Sequence, residues 1–78
     1  MIKVKILGAG CPNCIILYNN VMSSIRELEI EAIVEKIQDF VEISKFGVMS
    51  TPALVINEKV VGIGKLNYKK VRRLIKDA

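Results

Sequence analysis

A chain of 78 residues, 51% hydrophobic and 26% charged with a net charge of +4, has room for one domain, residues 1–78, and none for a second. Its apolar content excludes a disordered chain, and the lysines and glutamates interrupting every hydrophobic segment exclude a bilayer span, which needs about 18–20 apolar residues in a row. The N-terminus MIKVKILGAG carries its lysines inside the apolar stretch and not ahead of it, so it lacks the layout of a secretory signal and a cytoplasmic location is expected.

Residues 2–7 alternate Ile2, Val4 and Ile6 with Lys3 and Lys5, which predicts a strand with one covered face. After the turn GAGCPNC, apolar residues recur at Leu17, Val21, Ile25 and Leu28, while Asn19, Asn20, Ser23 and Ser24 fall elsewhere on the wheel; a helix therefore follows the cysteines directly. Residues 30–37, rich in isoleucine and valine, predict a second strand. Asp39 offers an N-cap with Glu42 three residues on, and Phe40, Ile43 and Phe46 mark the apolar face of a short helix ending at Gly47.

The stretch MSTP, residues 49–52, breaks the pattern. ALVI (53–56) and VVGIG (60–64), joined by NEK, read as a tight hairpin. The last segment is a helix capped by Asn67 with Tyr68, Val71, Leu74 and Ile75 on one face. The chain holds no internal repeat, linker or low-complexity tract.

A strand–helix–strand unit takes a right-handed crossover and parallel pairing, whereas the hairpin can pair only antiparallel. The expected fold class is therefore α/β, in the order βαβαββα, with a mixed four-stranded sheet covered by three helices. Strands as apolar as ALVI and VVGIG are both expected to be covered.

Two cysteines in a small cytosolic protein point to redox or metal chemistry, because structural disulfides are rarely maintained in a reducing compartment. Cys11 falls where the first strand gives way to the helix, with Pro12 in the first turn, where its missing N–H costs no hydrogen bond. The positive end of the helix favours a thiolate over a thiol, so the pKa of Cys11 is expected below the free value of about 8.5. Cys14, one turn later and at the head of the apolar face, is expected to be buried and to keep its proton longer. Cys11 is then the nucleophile that attacks a disulfide, and Cys14 the thiol that resolves the mixed disulfide. No bound cofactor is required.

Two other readings stay open at this point. A C-x-x-C loop after a first strand also binds soft metals such as copper through two thiolates, and a purely structural bridge is conceivable. A bridge across four residues restrains the unfolded chain by only about 2 kcal/mol in the entropic account, which makes it a weak staple. Zinc held by one chain is disfavoured because the sequence has no histidine; a dimer could still assemble a four-cysteine site.

The ordered set of GCPNC after the first strand, STPALVINEKVVGIG in the second half and a closing amphipathic helix resembles the small archaeal and bacterial thioredoxin-like or glutaredoxin-like redox-active disulfide proteins, over nearly the whole chain. The resemblance implies the thioredoxin fold and a thiol–disulfide oxidoreductase, with protein disulfides as substrates and a recycling reductase as a further partner. It implies a cis bond before Pro52, beside the cysteine pair. Thr51 would offer its backbone to an extended substrate segment, and Pro12 and Asn13 would border the same substrate site. Independently of the resemblance, Pro52 has no ladder N–H and suits only the start of a strand.

Some positions depart from the thioredoxin pattern. Gly10 stands where thioredoxins usually carry tryptophan, and Pro12-Asn13 is nearer the Pro-Tyr of glutaredoxins. Ile63-Gly64-Lys65 replaces the aspartate-bearing turn with which glutaredoxins hold glutathione. No equivalent of the buried acid that assists proton transfer in thioredoxins is visible. Copper chaperones, for their part, usually place methionine where this chain has Ala9 and end on a strand, not a helix.

Lys69, Lys70, Arg72, Arg73 and Lys76 concentrate positive charge in the last helix. A solvated face with cations near a helix C-terminus accounts for them, so nucleic acid is not an expected partner and acidic proteins are the better fit. Tyr18 and Met49 read as packing residues near the site. A monomer is expected.

Overall fold

The structure is a computed structural model that describes residues 1–8, 10–64 and 66–78. In chain order it holds β1 (Ile2–Leu7), α1 (Pro12–Leu28), β2 (Ala32–Ile37), α2 (Phe40–Ser44), β3 (Ala53–Ile56), β4 (Lys59–Ile63) and α3 (Tyr68–Lys76). The sheet runs β2-β1-β3-β4. β1 lies parallel to β2, from Ile2 opposite Ala32 to Leu7 opposite Ile37, and antiparallel to β3. The expected mixed four-stranded sheet and element order are those observed.

Two boundaries move for local reasons. β2 begins at Ala32 and not at residue 30, because the chain leaves α1 through Glu29 in the left-handed region (φ 53°). The N–H of Glu29 bonds the Arg26 carbonyl and that of Ile30 bonds Ile25, the paired reverse bonds that close a helix C-terminus. Residues 30 and 31 are used in this reversal. β4 begins earlier, at Lys59, because the hairpin loop is only Asn57 and Glu58, with φ of 50° and 70° and Ile56 paired to Lys59. Two consecutive positive φ values give the turn whose twist matches that of the flanking strands. Asn57 also pins the loop to β1: its N–H donates to the Lys3 carbonyl at 2.8 Å and its Oδ1 accepts from the Lys3 N–H at 3.0 Å.

Period two splits the sheet into two faces. Val4, Ile6, Leu54 and Ile56 pack with Leu17 and Val21 of α1 and Val71 and Ile75 of α3 into the larger core. Leu7, Ala53 and Val55 turn the other way, toward Ile43 of α2. Ser24, expected away from the core, is fully buried. Its hydroxyl donates to the Asn20 carbonyl at 2.8 Å, so burying it leaves no polar atom unpaired.

Phe40, expected on the covered face of α2, is 85% exposed. It is the first residue of a five-residue helix, too short to hold more than one turn's worth of side chains on the sheet. ALVI is wholly buried as expected, but VVGIG is not: Val60, Val61 and Gly62 are half-buried and Ile63 is exposed. β4 is an edge strand, paired with β3 alone.

Candidate active site

The site is built where β1 ends. The N–H of Gly8 continues the β1–β2 ladder to the Ile37 carbonyl at 2.9 Å, and Gly10 turns the chain with φ 88°, a conformation suited to glycine. Cys11 then caps α1 in extended conformation, with Pro12 at the first helical position. The Cys11 carbonyl accepts the first helical bond, from the Ile15 N–H at 3.1 Å. Its Sγ accepts from the Cys14 N–H at 3.3 Å, as a capping oxygen would in the same place. No acidic side chain sits in this first turn, so nothing there opposes the positive helix end.

Cys11 and Cys14 are joined as a disulfide, their Cα atoms 5.1 Å apart. Cys11 is half-buried, Pro12 and Asn13 are exposed, and Cys14 is only 6% exposed. The two sulfurs are thus unequally accessible, and the accessible one lies at the helix terminus.

Gly8, which sequence reasoning passed over, is fixed by this packing. A Cβ there would run into Cys14 Sγ and would lie 3.9 Å from Pro52 Cα. The available signal was its position, a glycine at the end of a buried strand just before the cysteine loop.

Antiparallel pairing of Leu7 with Ala53 brings the residues preceding β3 alongside those following β1. Pro52 accordingly lies beside Gly8 and Cys14. The Thr51–Pro52 peptide bond is cis. Pro52 is buried and Thr51 exposed, and the Pro52 carbonyl accepts from the Gly64 N–H at 2.6 Å. Thr51 borders a depression shared with Phe40, Val48 and Met49. Met49, expected to pack, is 99% exposed.

On its other side Cys14 borders a cleft with Tyr18, Lys36 and Gln38. The Lys36 ammonium lies 4.2 Å from the Tyr18 ring centroid. Lys36 and Gln38 were not singled out from the sequence. Strand parity was the usable signal, because Lys36 shares the α1-facing side of β2 with Val34.

Among the described residues no three His, Cys, Asp or Glu side chains converge as a metal centre. The helix α3 that closes the fold also separates it from the strand-terminated metal chaperones. Two positions used in those comparisons, Ala9 and Lys65, lie outside the described residues. Among the described residues no helix is long and apolar enough to cross a membrane.

A mixed sheet of this order, a cysteine pair opening the first helix and a buried proline at the adjacent strand start define a thioredoxin-like, thiol–disulfide class of protein. Comparison with known proteins agrees: the family model described as thioredoxin domain matches residues 2–76, and the chain belongs to that family. Thioredoxin from Methanothermobacter thermautotrophicus is 33% identical over 70 residues, 90% of this chain and 91% of the relative. Thioredoxin from Methanocaldococcus jannaschii is 36% identical over 66 residues, 85% of this chain and 76% of the relative. A crystal structure of glutaredoxin 1 from Francisella tularensis complexed with cacodylate aligns over 99% of this chain and 95% of that one, with 20% identity and a TM-score of 0.48.

Proposed function

We propose that this protein exchanges disulfides with other proteins through Cys11 and Cys14. The observation that carries the reading is the inequality of the two sulfurs, with Cys11 accessible at the N-terminus of α1 and Cys14 shielded behind it. In the dithiol form the helix terminus favours the Cys11 thiolate. That thiolate attacks a sulfur of the substrate disulfide, forming a Cys11–substrate bond as the substrate's own S–S bond breaks. The first leaving sulfur departs as a thiolate and takes a proton from solvent. Cys14 then loses its proton and attacks Cys11 Sγ, releasing the second substrate sulfur and leaving the Cys11–Cys14 bridge.

Two electrons have passed to the substrate. A reductase of dithiol or thiol chemistry must return the bridge to the dithiol, and the steps run in reverse for an oxidant. No bound cofactor takes part in this reading, since the electrons reside in the cysteine pair.

The substrate segment lies in extended form against Thr51, whose exposed backbone precedes the buried Pro52, with Pro12 and Asn13 bordering the other side. An exposed strand start of this kind accepts an extended segment by main-chain hydrogen bonds, which suits protein substrates of varied sequence. The test is a substitution pair. Cys11→Ser is expected to abolish reduction of a protein disulfide such as that of insulin, and Cys14→Ser to accumulate a covalent adduct with it on non-reducing gels. Full activity of the Cys11→Ser protein would refute the reading.

A further inference from the structure

The three methionines of the chain stand in three different settings. Met22 is half-buried on α1. Met1, 79% exposed, precedes β1 and borders Leu28 and Ile30, at the end of the fold away from the cysteine turn that follows Leu7. Met49 is 99% exposed and stands two residues before Thr51, on the depression it shares with Phe40, Ile43 and Val48. No charged side chain of a described residue borders that depression, and Phe40 is itself 85% exposed. Two large apolar side chains thus stand in water beside the strand start.

We propose that Met49 is an oxidation site, whose conversion to the sulfoxide by a peroxide weakens the docking of protein substrates and leaves the exchange chemistry of Cys11 and Cys14 intact. The proposal rests on the exchange reading given above.

Two properties of the side chain meet at this position. A thioether is apolar, unbranched and adaptable, which suits a surface that meets substrate side chains of varied shape. It is also a two-electron reductant whose oxidation replaces an apolar group with a polar, chiral one. The fold leaves the Met49 sulfur open to a dissolved oxidant, whereas packing on α1 partly shields that of Met22. Neither cysteine borders the depression, so the change falls on binding and not on the reacting sulfurs.

In the step itself the Met49 sulfur attacks one oxygen of hydrogen peroxide. An S–O bond forms as the O–O bond breaks, and the sulfur gives up two electrons. The departing hydroxide takes the proton left on the transferred oxygen and leaves as water. Pressing the sulfoxide oxygen against an apolar substrate side chain then strips it of water without a hydrogen bond in return, which disfavours the complex.

The test treats the disulfide form with hydrogen peroxide, since bridged cysteines carry no thiolate to oxidise. Peptide mass follows each methionine, and Met49 is expected to convert about fivefold faster than Met22. Once peroxide is removed and the bridge reduced, insulin reduction is measured over a range of insulin concentrations, with dithiothreitol recycling the protein. The KM for insulin should rise about threefold to tenfold with kcat unchanged. The rate with 4,4′-dithiodipyridine, a small uncharged disulfide, should stay as it was. Met1 is exposed and oxidises too, so Met49→Leu assigns the effect: it keeps an apolar side chain without an oxidisable sulfur, and its KM should not move on the same treatment. Met49→Gln, which sets a polar group there without peroxide, should raise the KM of the untreated protein.

A KM that rises as far in peroxide-treated Met49→Leu, or stays level when Met49 is fully converted, would overturn the proposal and leave the exchange reading standing. An equal loss of rate toward 4,4′-dithiodipyridine would overturn it as well. Failure of the untreated, unsubstituted protein to reduce insulin would refute the exchange reading, and the proposal with it.

Discussion

On the face covered by α1 and α3, Val4, Ile6, Leu54 and Ile56 are sealed by two helices, whereas on the opposite face only Leu7, Ala53, Val55 and Ile43 form a buried cluster, under the five-residue α2. The rest of that second face is left to Lys3, Ile33 and Glu35, with Ile33 44% exposed, and to Lys5, whose ammonium lies 5.4 Å from the Phe46 ring centroid. The difference follows from helix length. Two long amphipathic helices close a face, and one turn of helix closes only the end beneath it. The end that α2 does close is the one carrying Leu7 and Ala53, next to the cysteine turn and Pro52. One face therefore supplies most of the stability, and the other supports the site and exposes the apolar rim around Thr51.

Substitutions should separate the two faces in a graded series. Leu17→Ala, in the centre of the larger core and fully buried, is expected to cost about 2–5 kcal/mol. Ile43→Ala, at the edge of the smaller cluster where neighbours can collapse inward, should cost about 2 kcal/mol, at the bottom of that range. Phe40→Ser, on the exposed side of α2, should change stability by no more than about 0.5 kcal/mol. Urea midpoints of the three variants check the order, and a cost at Phe40 equal to that at Leu17 would contradict the division of roles.

The smallest effect belongs to the open face. Lys5 and Glu58 pair at 2.9 Å, and their mutual hydrogen bond raises the Lys5 pKa from its ordinary 10.5 and lowers that of Glu58 from its ordinary 4.5. A carboxylate with a depressed folded pKa stabilises above its unfolded value and loses that contribution as pH falls through the folded one. A lysine with a raised folded pKa stabilises below its unfolded value and loses its share as pH rises through the folded one. The pair's contribution should be level between about pH 5 and 10 and decline outside that window. Glu58 is solvent-exposed and Lys5 half-buried at the sheet surface, so the effect is small and screened by salt. Glu58→Gln should flatten the acid limb of the stability curve below pH 5, and an unchanged limb would remove the pair from the account.

Much of this was legible in the sequence because period two and period 3.6 report burial directly. The alternation of Lys3 and Lys5 with Val4 and Ile6 gave β1 its two faces, and the helix-start position of Cys11 followed from Pro12 and the glycine turn before it. What was not legible depended on contacts between elements. The burial of Ser24 depends on a hydrogen bond to its own helix, which periodicity counts as polar. The exposure of Phe40 and Ile63 depends on how far α2 extends. The requirement for glycine at position 8 depends on Cys14 Sγ occupying the space a side chain would fill. Lys36 reads as one more surface lysine until strand pairing and parity place it toward α1 and Cys14.

The central claim is that the two sulfurs differ in chemistry because one caps a helix and the other is buried behind it. The most direct test is the pH dependence of alkylation of each thiol in the reduced protein, resolved by peptide mass. Cys11 is expected to react with an apparent pKa below about 7.5 while Cys14 stays protected. Two thiols reacting equally, each near the free value of about 8.5, would contradict the account.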